Sequence, residues 1–124
     1  MYRVLRLAPW LLLLLCMQSY GHHSVGGTYK FNETRSVEGK VLEFIFRNPH
    51  SFVQIQAADG SKWLLEWDTA ENLRKQGIDK DTLRVGDHVT VTGYPRRRAD
   101  ERMMLIRVLR RQRDGSVWGL SKAR

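Results

Sequence analysis

Residues 51–68 read SFVQIQAADGSKWLLEWD, and the register in which this stretch folds back on itself decides the fold. SFVQIQA alternates apolar and polar residues as a half-buried strand does. KWLLEW reads as a second strand, and ADGS between them is turn chemistry. Two registers compete. A two-residue Asp59-Gly60 turn would set Glu66 beside Val53, among the residues destined for the core. A three-residue loop, Ala58-Asp59-Gly60, instead pairs Val53 with Leu65 and Ile55 with Trp63, and needs Gly60 in the left-handed conformation. The second register is preferred because the first buries an unpaired carboxylate. It places His50 opposite Asp68 and diagonal to Glu66, on the face turned away from the core.

Upstream, SVEGKVLEFIF (36–46) is rich in β-branched and aromatic residues and reads as a first strand. Gly39 and the broken alternation around Glu43 predict a bend or bulge in it. Downstream, TAENLRKQG (69–77) offers an N-cap, a run of helix formers and a terminal glycine, which predicts a helix of about two turns. LRVGDHVTVTGYP (83–95) gives a turn and a fourth strand with Val89 and Val91 inward. RMMLIRVLR (102–110) gives a fifth, and a short piece around SVWGL (116–120) closes the end. Three strands, a helix and two strands is the order of an oligonucleotide/oligosaccharide-binding (OB) barrel. The expected class is therefore mainly β: a small five-stranded OB-like barrel with one short helix between strands 3 and 4. An open α+β sheet of the same elements is the alternative, since periodicity alone does not separate them.

The first 21 residues, MYRVLRLAPWLLLLLCMQSYG, combine basic Arg3 and Arg6, an apolar run from Leu7 to Met17, and small Ser19 and Gly21. That is the layout of a cleavable signal peptide, and the run is shorter than the roughly 20 residues a membrane-spanning helix needs. Lipid attachment at Cys16 is disfavoured by the bulky Leu14 and Leu15 before it. The expectation is an exported, periplasmic protein without stable membrane insertion, its single domain spanning 22–124. Cleavage would expose His22 as the N-terminus and remove Cys16, the one cysteine of the chain, so no disulfide can form. Loss of Arg3 and Arg6 lowers the formal charge from +8 to +6. Outside the cytoplasm a basic excess points away from nucleic acid and towards an anionic glycan, a lipid headgroup or an acidic protein, or simply a solvated face.

Chemistry concentrates on the histidines. A free N-terminal His22 offers its amine and its ring nitrogen as a chelate, His23 adds a second imidazole, and His50 completes a nitrogen set resembling a histidine brace. Such donors suit copper first and zinc next. Glu66 or Asp68 is positioned to orient the His50 ring or to join as a further ligand. The competing reading is a frayed terminus at His22 and His23 and a turn-capping His50. His88, alternating with Val89 and Val91, is expected to point outward as an ordinary surface residue.

The combination of HHS (22–24), NPH (48–50), WLLE (63–66) and GDHVTVTGY (86–94) resembles a family of small secreted bacterial proteins of unknown function. The resemblance covers nearly the whole chain after residue 21. It implies an exported, small β-rich domain and brings no established activity. The chain departs from the family's pattern in YPRRRADERM (94–103), where three consecutive arginines stand in a loop that is usually more neutral. Those residues carry the second functional class: Arg96, Arg97, Arg98 and Arg102, in the loop between strands 4 and 5, can pair with an anionic partner by fork-like hydrogen bonds. No nucleophile with an adjacent base, phosphate-binding glycine loop or paired-acid pattern stands out, so a binding protein is expected rather than an enzyme.

Overall fold

The computed structural model of the chain describes residues 25–119. Its elements are α1 (Val25–Thr28), β1 (Arg35–Ile45), β2 (Phe52–Gln56), β3 (Lys62–Glu66), α2 (Ala70–Lys75), β4 (His88–Pro95), β5 (Met103–Arg111) and β6 (Val117–Gly119). The strands follow the order β3-β2-β1-β4-β5-β6, and a parallel pairing of β3 with β5 joins the first to the fifth. Five strands thus close into an OB-like barrel with α2 between β3 and β4, and the open-sheet alternative is excluded. The SVWGL piece forms β6, which adds to β5 outside the closed ring. Closure leaves a chain of this size few unpaired sheet edges.

The β2–β3 hairpin has the three-residue-loop register. Val53 faces Leu65 and Ile55 faces Trp63, with Gly60 at φ 83°. The loop closes through Ala57 N–H to Ser61 O at 2.9 Å and Gly60 N–H to Ala57 O at 2.9 Å. Asp59 accepts from both the amide and the hydroxyl of Ser61, which holds its carboxyl below the usual range. The consequence for packing is that Val53, Ile55, Leu65 and Trp67 are fully buried, joined by Val89 and Val91 of β4 and Met104, Ile106 and Leu109 of β5. Trp63, expected to point inward with them, does pack against this cluster and is partly buried, at the rim beside the hairpin loop.

α2 forms where its caps dictate. Thr69 Oγ1 accepts from Asn72 N–H at 3.0 Å at the first turn. At the other end Gly77, at φ 78°, lets the Ile78 amide reach Leu73 O and its own amide reach Arg74 O. This double closure brings buried Leu73 and Ile78 together against the barrel core. β1 is bent as its sequence suggests, with a register shift against β2 between Val41 and Glu43. A second shift lies between β4 and β5 at Thr92/Gly93.

Arg111, at the end of β5, latches two loops to the barrel. It is 8% exposed, bonds Asp114 with Nε to Oδ1 at 3.0 Å and Nη2 to Oδ2 at 2.5 Å, and donates through Nη1 to the Thr82 carbonyl. Its guanidinium lies 5.0 Å from the centre of the Trp118 ring. Replacing it with methionine keeps most of the stem but loses these bonds, so we expect a loss of about 2 kcal/mol in urea denaturation. The Arg111 hydrogen bonds, helped by the Ser116 amide, hold the Asp114 carboxyl well below the usual carboxylate range. A group with a depressed folded-state value contributes above its unfolded pKa and loses that contribution as the pH falls through the folded value. Asp114→Asn should therefore be less stable than the parent at neutral pH, and the two should converge in acid below about pH 4. A stability difference that persists unchanged at pH 2 would contradict this.

Candidate functional site

The NPH motif lies in the loop between β1 and β2, which contains a cis Asn48–Pro49 peptide. The loop is closed by buried Ser51, whose hydroxyl donates to Arg47 O at 3.0 Å and accepts from Arg47 N–H at 3.2 Å. Ser51 also extends the β2–β3 ladder by exchanging backbone bonds with Trp67 and Asp68. With Ser51 inward, strand alternation turns His50 and Phe52 outward.

Glu66 is outward on β3 and pairs across the hairpin with Phe52, which makes it the diagonal neighbour of His50. The contact forms: His50 Nδ1 lies 3.1 Å from Glu66 Oε1. A carboxylate only accepts, so the contact puts a ring hydrogen on Nδ1, and in the neutral ring Nε2 is then the nitrogen with a lone pair. The His50 side chain is 49% exposed and that of Glu66 15%. The other carboxylate oxygen, Oε2, accepts from the Tyr29 hydroxyl. Tyr29 is buried, and burial first, then the hydrogen bond and charge of Glu66, push its phenol well above the ordinary value. Glu66 is therefore held from one side by the Tyr29 hydroxyl and holds His50 on the other.

Tyr29 follows α1, and its backbone is bound to the end of β4. It bridges Arg96, while Lys30 N–H donates to Pro95 O at 2.9 Å and Arg97 N–H to Thr28 O at 3.0 Å. The segment leading from the N-terminus is thereby fixed beside β4, with its tyrosine reaching β3. Sequence reasoning missed Tyr29. GGTYKF carries no local signal for a contact 37 residues away, and only the closed barrel brings the two together.

The other candidate residues fall as follows. His22 and His23 lie outside the described residues. The carbonyl of Asp68 accepts from Ser51 N–H at 3.1 Å, and its carboxylate accepts from Thr69 N–H at 2.7 Å and Asn72 Nδ2 at 2.9 Å, facing the first turn of α2. Among the described residues no group of three His, Cys, Asp or Glu side chains could hold a metal ion. His88 is exposed at the start of β4, beside Lys40 of β1, and lines a cavity of about 700 Å³ with Gln56.

In the arginine loop, Arg96 Nε lies 2.6 Å from Glu101, and Arg98 Nε is 3.4 Å from the same carboxylate and 3.9 Å from Asp100. Arg97 and Arg102 are exposed. Two of the four arginines are thus already engaged by acidic residues of their own loop, an internal pairing that counting charges along the chain does not show.

Among the described residues no helix is long and apolar enough to cross a membrane. No curated protein matches the chain. A family model does match it, over residues 11–105, in keeping with the expected family of unknown function: the chain belongs to DUF6152, a family of unknown function.

Proposed function

We propose that this is an exported, periplasmic binding protein that takes a copper or zinc ion at His50 together with the N-terminal histidines His22 and His23, exposed by removal of residues 1–21. The observation that carries the reading is the His50–Glu66–Tyr29 chain. Glu66 holds Nδ1, so Nε2 is presented as a ligand nitrogen of fixed orientation, the way carboxylates orient metal-binding histidines. Tyr29, which holds Glu66 in place, also anchors the segment that follows the histidine pair. Six residues lie between His22 and Tyr29, a contour of about 25 Å at most, which is a short tether for bringing the amine to His50.

A second ligand class, an anionic partner on Arg96, Arg97, Arg98 and Arg102, has to compete with Glu101 and Asp100 for two of those arginines and is the weaker reading. The test of the metal reading is a cupric titration of protein starting at His22 against the same protein with one extra residue before it. The extension converts the chelating amine to an amide, and affinity should fall at least about tenfold. Affinity should also fall as the pH is lowered, because ligand nitrogens must be deprotonated. Equal affinity for both N-termini would remove the amine from the site.

A further inference from the structure

His50 also forms part of the wall of a depression of about 320 Å³, lined with it by Arg47, Asn48, Pro49 and Phe52. From it we infer a binding site for a small carboxylate, gripped by the Arg47 guanidinium. The volume is at the lower end of ligand sites, enough for a few non-hydrogen atoms.

The depression is rich in donors and has no acid. The Arg47 guanidinium carbon lies 5.5 Å from the centre of the Phe52 ring, over its face. A cation–π contact of this kind steadies the group and occupies no acceptor, so the five N–H donors remain available. The Asn48 side-chain carbonyl faces Glu71 N–H at 3.4 Å, which leaves the amide N–H₂ of Asn48 as its unengaged end.

No acidic side chain of the chain neutralises Arg47. All thirteen Asp and Glu residues of the chain fall between positions 33 and 114 and so lie among the described residues. None is within ion-pair distance of Arg47, whereas Arg96, Arg98, Arg111 and Arg113 each have a carboxylate within 4.0 Å. The chain therefore holds no acidic side chain that fills this place. A planar guanidinium presents paired N–H groups that match the two coplanar oxygens of a carboxylate, a match an ammonium does not make. Four arginines are engaged by carboxylates and others, such as Arg74 over the Phe46 ring, are not; Arg47 is set apart by lining, with Asn48, a depression, and takes its carboxylate from outside.

The test is an amide NMR titration of metal-free protein with acetate, succinate and inorganic phosphate, at an ionic strength held constant with chloride. Metal is left out so that the result stands whether or not the histidines bind an ion. Saturable shifts confined to residues 47–52 with acetate or succinate are expected. Arg47→Ala should weaken them about tenfold or more, and Arg47→Lys should recover only part of the loss. Unchanged shifts elsewhere in the spectrum would show that both variants keep the barrel. Saturation by phosphate alone would replace the carboxylate with a tetrahedral oxyanion and overturn the assignment. So would linear, non-saturating shifts, or saturable ones that Arg47→Ala leaves unchanged.

Discussion

Gly93→Ala should melt about 10–20 °C below the parent protein. A Cβ built on Gly93 falls 2.3 Å from the carbonyl oxygen of Leu105, which is backbone and has no rotamer to change. The clash occurs where the register of β4 against β5 shifts, between Thr92 and Gly93. Relief requires the two strands to separate, and they form the most extensive contact of the barrel. Overpacking of this kind costs about 3 kcal/mol, which for a domain of this size corresponds to the stated fall. Gly39, whose Cβ would meet Gln56 O at 2.4 Å, should behave alike. Gly119→Ala is the control: its Cβ would lie 3.8 Å from the nearest atom, an ordinary contact, and the change should stay within about 0.5 kcal/mol. A Gly93→Ala protein that melts within two or three degrees of the parent would show that β4 and β5 do not approach each other in this way.

Glu66→Leu should damage both stability and metal affinity, whereas Tyr29→Phe should mainly damage stability. Leucine leaves the buried Tyr29 hydroxyl without its acceptor, a penalty of about 1–3 kcal/mol. It also releases His50 Nδ1, so the ring loses its fixed orientation, and loss of such an orienting carboxylate lowers metal affinity about 10–100-fold. Phenylalanine at position 29 removes only the donor and leaves Glu66 on His50. Denaturant melts with copper titrations on the two variants would resolve the pattern. If Glu66→Leu binds copper as the parent does, Glu66 is a structural residue and not part of a metal site.

Much of the fold was legible because short-range rules acted alone. Thr69 and Gly77 bound α2, Gly60 sets the hairpin loop, and the need to keep Glu66 out of the core fixes the register that places it diagonal to His50. The His50–Glu66 contact was therefore readable from spacing. The depth of Trp63 was not, since its strand position gives a direction but not the cover that neighbouring strands supply. Tyr29 and the pairing of Arg96 with Glu101 were missed for a related reason. Tyr29 depends on which segments a closed barrel brings together and Arg96–Glu101 on how one loop folds back on itself, and alternation along a single strand carries neither. The Arg47 depression was passed over because an arginine next to Asn-Pro-His looks like any solvated charge until all thirteen acids are located.

The central claim is that His50 is a metal ligand and not a turn residue. It is tested most directly by titrating cupric ion into the protein beginning at His22 and into its His50→Ala variant, with the fold of each checked by circular dichroism. His50 is half exposed and outside the core, so the variant should fold as the parent does. The account predicts one equivalent bound by the parent and an affinity about 100-fold lower in the variant. Equal copper affinity in the two proteins, both folded, would contradict it.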